Sequence, residues 1–410
     1  MNNDRTGHVI IVHRWRDHYA HYASYIDHKV RTVTYVTTSR GIESVPSTAT
    51  GVIVIDDPQN PTTVRDAVLE LAQSFGRPEA IIALKEGDLP EVAILREELG
   101  CAGRRPEDLA RFLDKFEMAK IVAGAGLRLP PLALAQDADA VLYFAKEFGW
   151  PVMIKPRRGS ASSGVHRLDS PDDVDQVDFE RPSIVQAYVS DPIYHVDGVY
   201  DGDGLGPWRA SRYLNNCLDF TTGQPLGSVE VDDPDLLTGI AEFTTQMARA
   251  MCREPWVFHL ELFVGTSGTR RPVISFLEVG CRVGGAEIPF IWRDVHGLDL
   301  MTLEVALQAG DNLKIANLPP TPEVGGWLLI PPPAQRPCRV VRSCSLIGRP
   351  DGPYAEKIRS PGEIIPAAND AFYENVGGRF RFRGRTSAEV EQAMLAAMAN
   401  FDLECETLAA

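Results

Sequence analysis

The chain has 410 residues, 44% of them apolar, enough to fill roughly two or three hydrophobic cores and too apolar for a disordered or fibrous protein. Its 41 basic and 56 acidic residues give a formal charge of −15 with no run of five like charges, which argues against nucleic acid or an anionic membrane surface as the main partner. No apolar stretch reaches the ~18 residues of a membrane helix.

The chain opens with polar MNNDRTG and a short apolar run, HVIIV, too short and wrongly flanked for a signal peptide. The seven cysteines are scattered, without a C-x-x-C pair, and are expected as reduced thiols in a cytoplasmic protein. Only eight of the basic residues are lysines, so a lysine in a special context carries more information than an arginine does.

In chain order, HVIIVH, VRTVTYVTT, GVIVID and EAIIAL alternate with amphipathic VRDAVLELAQSF and EVAILREELG, which predicts an open parallel α/β domain over residues 1–110. The first strand runs into His13-Arg14-Trp15-Arg16 with no G-x-G-x-x-G, which disfavours a dinucleotide site. Two short helices are expected in RPEDLARFLDKFEMAKIVAGAGLRLPP, the second ending near Gly124 or Gly126, and a third in DADAVLYFAKEFG. Strands PVMIKP and SIVQAYV follow, then YHVDGVY with a D-G-D-G turn, and the pair VFHLELFV and PVISFLEVG joined by the turn GTSGTRR; these suggest antiparallel sheet. Helices PDLLTGIAEFTTQMARAM, LDLMTLEVALQAG and SAEVEQAMLAAMANF, the strand GGWLLIP and the loop PPPAQRP complete the pattern.

Two segments could carry chemistry. In PVMIKPRRGSASSGV, residues 151–165, a strand delivers Lys155 to a loop holding Gly159, Ser160, Ala161, Ser162, Ser163 and Gly164. Small residues let backbone N–H groups approach an anion, and the lysine adds a point charge. A flexible hairpin connection is the plainer alternative. In HLELF and FLEVGCRVGG, strand alternation puts His259 and Glu261 on one face and Glu278, Gly280 and Arg282 on one face of the partner, so that the two carboxylates could meet. Such a pair suits Mg²⁺, a hard cation; the alternative is that each acid faces solvent or pairs with an arginine such as Arg270, Arg271 or Arg282.

In order and approximate spacing, Lys115, Lys155 with its loop, the SIVQAYV strand, and Glu261 with FLEVGCRVGG resemble the motifs of the ATP-grasp ligases, and within them the carboxylate-amine ligases that include bacterial L-amino acid (dipeptide) ligases. The resemblance implies an ATP-grasp fold behind the N-terminal α/β domain: an α+β small subdomain over residues 111–188, and a large α+β subdomain with a C-terminal extension over 189–410. It also implies that Lys115 and Lys155 bind ATP phosphates under the loop Gly159–Gly164. Gln186, Ala187, Tyr188 and Val189 would read the adenine, Glu261 and Glu278 would hold Mg²⁺, and Arg282 would stabilise the transferred phosphoryl group. The family's E-x-N-x-R reads Glu278-Val279-Gly280-Cys281-Arg282 here, so Gly280 supplies no amide oxygen. Gln186 stands where many members have glutamate, and Ile193 where a ribose-binding glutamate is common, with Asp191 and Asp197 as substitutes.

The expected function is ATP-dependent formation of an amide between an amino-acid carboxylate and an amine, through an acyl phosphate, with small-molecule substrates and a homodimeric state implied by the resemblance. His259 or Glu261 is the candidate base. A nucleotide-binding protein without catalysis, and a ligase that loads an amino acid onto a carrier protein, are the alternatives. Among other features, His8, His13, His18, His21 and His28 match no zinc spacing and are expected at the surface or a domain interface. Glu86 and Asp88 follow a strand of the first domain, as contacts to the acceptor amine or, for Asp88, as a helix cap. Arg379, Arg381, Arg383 and Arg385 alternate along one strand, as a charged edge or, with Arg339 and Arg342, as a receiver of an acidic substrate.

Overall fold

The computed structural model describes residues 7–15, 18–57, 60–160, 162–266, 272–311, 321–367 and 375–408. Strands β1 (His8–His13), β2 (Thr32–Thr37), β3 (Gly51–Val54) and β4 (Ala80–Ile82) form a parallel sheet in the order β3-β2-β1-β4. Alternation splits its core: Ile10, Val12 and Val36 pack with Val64, Val68 and Leu71 of helix Pro61–Phe75, while Val9, Ile11 and Tyr35 face a second cluster that includes Leu300, Met301 and Val305 of helix Leu300–Ala309. Asn60 caps the first of these helices by accepting from the Thr62 N–H, and Pro61 stands at its start. The strand order reverses between β1 and β4, so their C-terminal ends open a crevice of the kind that receives ligands in α/β sheets.

A second, antiparallel sheet follows, with β5 (Leu132–Ala135), β6 (Val152–Pro156), β7 (His166–Leu168) and β8 (Ser183–Ala187) in the order β5-β8-β6-β7. Helix Ala138–Phe148 buries Val141, Phe144 and Ala145 against Val152, Ile154 and Val185 of this sheet.

The remaining strands are β9 (Ile193–Tyr200), β10 (Leu205–Tyr213), β11 (Leu226–Glu230), β12 (Trp256–Thr266), β13 (Pro272–Gly280), β14 (Val324–Ile330), β15 (Cys338–Ser343), β16 (Ala355–Ile358), β17 (Ile364–Ile365), β18 (Gly378–Gly384) and β19 (Leu403–Thr407). Eight of them make one antiparallel sheet, β13-β12-β9-β10-β11-β14-β18-β16, and β17-β15-β19 make a small one. One face of β12 is apolar: Phe258, Leu260 and Leu262 pack with Phe243, Met247 and Met251 of helix Pro234–Met251 and with Met118 and Val122 of helix Lys115–Gly124. At about 1.5–3 kcal/mol for each fully buried large side chain, this packing fixes which face of β12 points away from the helices. The turn expected between β12 and β13 falls largely on residues 267–271, outside the described residues, as do Arg270 and Arg271.

The elements expected from the sequence are present, and helix Ile288–His296 and strands β5, β7, β10, β11, β15 to β17 and β19 are among those that add to them. One expectation needs correction. Strand β18 lies between β14 and β16 and is not an edge. Arg379 and Arg381 both pair with buried Glu287, at 2.9 and 3.3 Å, and Arg381 also meets Asp294 at 2.8 Å. Arg381 lies over the Phe290 ring, so Arg379 and Arg381 hold helix Ile288–His296 to the sheet, while Arg383 lies over the ring of Tyr354, just before β16. Arg342 pairs with Asp402 and Glu404 of the small sheet's end.

Candidate active site

A cavity of about 390 Å³ lies between the four-stranded sheet and the β12–β13 end of the eight-stranded sheet, within the roughly 300–1,000 Å³ of small-molecule sites. Its lining gathers Lys115, Lys155, Gly159, Ser160, Ser162, Ser163, Gln186, Ala187, Tyr188, Val189, Glu261 and Glu278. Of the residues expected at the site, Gly164, His259 and Arg282 are outside this lining, and Ala161 is outside the described residues.

The cations come from two elements. On β6, Val152 and Ile154 point into the core of the antiparallel β5-β8-β6-β7 sheet, so Met153 and Lys155 face the cavity. Lys155 Nζ donates to Gln186 Oε1 at 2.7 Å. Burial lowers its pKa to about 8, against the opposing charge of Glu278, with Lys115 adding to the depression. Helix Lys115–Gly124 starts where Asp114 accepts from the Phe116 and Glu117 N–H groups, and Asp114 also pairs with Arg157 at 2.7 Å, which ties the helix start to the end of β6. From there Lys115 Nζ donates to the Gly159 carbonyl at 2.7 Å and lies 3.1 Å from Glu278 Oε2. One lysine thus links the loop to a carboxylate. The loop turns through positive φ at Gly159, Ser162 and Gly164. A Cβ on Gly164 would stand 2.7 Å from Arg181 Nη1, so this glycine makes room for an arginine behind the loop and is not itself part of the lining. Strand β8 ends at Ala187, and Tyr188 to Ile193 continue along the cavity wall.

The carboxylates are placed by register: Glu261 of β12 is directly opposite Glu278 of β13. Tyr213 Oη donates to Glu261 Oε1 at 3.1 Å, and His259 Nε2 lies 3.7 Å from the same oxygen. Behind Glu261 the polar groups continue inward. Asp197 accepts from His259 Nδ1 at 2.8 Å on Oδ1 and from His195 Nδ1 at 2.6 Å on Oδ2, and His195 Nε2 meets Ser228 Oγ at 2.6 Å. Asp197 is 2% and His195 1% exposed. A carboxylate only accepts, so both Nδ1 atoms carry hydrogen, and the Ser228 hydroxyl, which can donate or accept, meets the other nitrogen of His195. Burial alone would lower the His259 pKa, but the charge and hydrogen bond of Asp197 outweigh it and raise the value to about 9. Burial likewise opposes ionisation of Asp197, yet the two imidazoles hold its carboxyl well below the usual range. The pKa of Glu261 is also lowered, burial being outweighed by His259.

Sequence reasoning missed this inner layer, although its signal was there: His195 and Asp197 share one face of an apolar strand. It missed Tyr213, Asn215 and Asn216 of the cavity wall as well. Of the two proposed ribose contacts, Asp191 lines the cavity and Asp197 is turned inward to the histidines. Arg282 Nε donates to Glu86 Oε2 at 2.7 Å, which brings the crevice of the first sheet to the edge of the site. Asp88 makes no capping bond and instead accepts from Arg14 Nε at 2.7 Å. Three N-terminal histidines are buried and not at the surface: His8 bonds Thr34, whereas His13 bonds Tyr22 and His28 bonds Tyr35, two tyrosines of the core that the first sheet shares with helix Leu300–Ala309, which agrees with the interface alternative for those two. Among the described residues, His195, Asp197 and His259 are a group that could hold a metal ion, but their facing atoms already hydrogen-bond one another.

The fold is that of the ATP-grasp proteins. The crystal structure of L-amino acid ligase from Bacillus licheniformis superposes with a TM-score of 0.76 at 15% identity, covering 98% of this chain and 99% of that one. The biotin carboxylase domain dimer of the Hydrogenobacter thermophilus 2-oxoglutarate carboxylase, solved with MgADP, ADP and bicarbonate, does so with 0.69 at 16% identity over 97% and 90%. In sequence, the chain is 20% identical over 278 residues to the L-arginine-specific L-amino acid ligase of Bacillus subtilis, covering 64% of this chain and 66% of that protein. It is 26% identical over 153 residues to the carbamoyl phosphate synthase large chain of Thermotoga neapolitana, covering 35% of this chain but only 14% of that protein. No family model matches the chain.

Proposed function

We propose that this protein is an ATP-grasp ligase that joins an amino-acid carboxylate to an amine, releasing ADP and phosphate. The observation that carries the proposal is the meeting, across one cavity, of Lys115 and Lys155 with the directly opposed Glu261 and Glu278. Phosphoryl transfer asks a protein mainly for positioning and charge neutralisation. In this reading the Gly159–Gly164 loop covers the phosphates, Lys115 and Lys155 neutralise them, and the Gln186–Val189 segment seats the adenine. The donor set also fits Mg²⁺: two hard carboxylates face each other with phosphate-binding cations beside them, and in water the ion keeps several of its own ligands. Glu261 and Glu278 would hold it, and when bound it supplies charge neutralisation on the phosphates.

The chemistry we assign has two steps. A carboxylate oxygen of the donor takes the γ-phosphoryl group of ATP, releasing ADP and leaving an acyl phosphate. The amine nitrogen then bonds to the acyl carbon, the C–O bond to phosphate breaks, and the amine loses a proton. Arg282, at the edge of the site, balances charge on the transferred group once it exchanges Glu86 for substrate. The crevice of the first sheet would admit the acceptor. We further divide the chain into an N-terminal domain (1–110), a small ATP-grasp subdomain (111–188) and a large subdomain with its extension (189–410), in a cytoplasmic homodimer. The seven free cysteines support the cytoplasmic setting; among the described residues no helix is long and apolar enough to cross a membrane.

The test is an ADP-release screen over pairs of amino acids and amines, with mass spectrometry of the products. ADP release that requires both partners and matches amide formed is the expected result. Tight ATP binding without turnover across the panel would overturn the ligase and leave a nucleotide-binding protein.

A further inference from the structure

The eight-stranded sheet carries a polar layer that the reaction proposed above does not use. His259 is directly opposite Asp197, and Glu261 directly opposite His195, in the register of β12 and β9. Four side chains from three strands, Ser228, His195, Asp197 and His259, form one continuous hydrogen-bonded chain, and His259 Nε2 at its end stands at ion-pair distance, 3.7 Å, from Glu261 Oε1. Tyr213 closes the end of it, packing its ring on His195 at 4.8 Å while its hydroxyl holds Glu261 Oε1. Valine and leucine would fill such a layer without the roughly 1–3 kcal/mol risk that each unpaired buried polar group brings.

The layer is also sealed. A Cβ on Gly284 would come within 2.3 Å of Asp197 Oδ1 and 2.9 Å of His259 Nδ1. The backbone after Arg282 therefore lies directly against the Asp197–His259 pair and permits no side chain there. This leaves the His259 ring little freedom to move, and both contacts to Glu261 fall on Oε1, which leaves Oε2 available to a cation.

From this geometry we propose that Asp197 and His259 are positioning residues: they fix the Glu261 carboxylate in the orientation in which it takes a divalent cation beside the nucleotide phosphates. The proposal rests on the assignment of Glu261 as a cation ligand. Groups that orient a metal ligand from behind commonly account for about 10- to 100-fold in metal affinity. His259 is then neither the base nor a cation ligand, and its substitution acts through Glu261.

The test is Mn²⁺ binding to the full chain in the presence of ADP, followed by electron paramagnetic resonance. In His259→Asn the shorter amide keeps a donor toward Asp197 and loses the reach toward Glu261. The expected result is Mn²⁺ affinity reduced about 10- to 100-fold, with metal-free ADP binding unchanged and Glu261→Gln losing the site altogether. Wild-type affinity in a folded His259→Asn protein overturns the positioning role alone. Failure of the wild-type protein to bind Mn²⁺ with ADP overturns the ligand assignment and this inference with it. Should His259→Asn not fold, histidine-labelled wild-type protein decides. Imidazole N–H resonances of His259 that move when Mg²⁺ joins the ADP complex support the role, and resonances that stay in place overturn it.

Discussion

The two sheets that face each other across the cavity hold their functional groups by different means. On the four-stranded sheet, Lys155 rests on Gln186 of the neighbouring strand, and the glycine-serine loop is tied back through Lys115 and backed by Arg181. These contacts are local and lie at the surface of a small core. On the eight-stranded sheet, Glu261 and Glu278 are placed by strand register, and Glu261 stands on a layer of buried polar residues. Groups of the first kind can change without disturbing the fold, whereas groups of the second kind are part of it.

The largest expected effect breaks activity on both sides and stability on one. Lys155→Met and Glu278→Ala should each lower amine-dependent ADP release by about 10²- to 10³-fold, as removal of a preorganised charge does. Folding desolvates the Lys155 ammonium, so Lys155→Met should leave the melting temperature at pH 7 unchanged or raised. Asp197→Ala strands two buried imidazoles and should lower it clearly. Comparable melting temperatures for the two would mean that both sheets hold their groups alike.

The contrast also separates what the sequence disclosed from what it did not. Lys155 and the Gly159–Gly164 loop are marked by their local sequence, Lys115 by the resemblance to the ATP-grasp ligases, and the Glu261–Glu278 pair by alternation on two strands joined in a hairpin. The inner layer depends on β9 lying beside β12, a pairing between strands far apart in the chain, and on β11 lying one strand beyond β9, across β10. The contact of Arg282 with Glu86 joins residues separated by 196 positions. The arginines of β18 read as an edge because nothing local shows that β16, which precedes β18 in the chain, lies outside it. Their ion pairs give a second, smaller contrast. Arg379→Met leaves buried Glu287 paired with Arg381 alone and should cost less than the about 3–5 kcal/mol of a wholly uncompensated buried charge but more than Arg342→Met. Arg342→Met removes exposed pairs on the small C-terminal sheet and should cost under about 1 kcal/mol. Chemical denaturation measures both.

The smallest and most specific effect is a pH limb. In the proposed reaction the Lys155 ammonium neutralises phosphate only while charged, and its pKa of about 8 lies below the ordinary 10.5. Since kcat/KM for ATP reports groups of the free protein, it should be flat below pH 7 and fall as Lys155 loses its proton near pH 8. Linkage gives the matching sign for stability. Between pH 8 and 10.5 the unfolded chain holds the Lys155 proton that the folded chain has released, so this residue favours folding more as pH rises. His259 runs the other way: its folded value of about 9 is above the ordinary 6.5, and its contribution is lost as pH rises through 9. The two limbs are separable, because arginine stays charged throughout. Lys155→Arg should remove the limb near pH 8 and expose the one near 9 that His259 imposes through Glu261, while His259→Asn should keep the first and lose the second. A wild-type profile that stays flat to pH 9 would show that the four-stranded sheet does not desolvate its lysine, and the contrast between the two sheets would then rest on register alone.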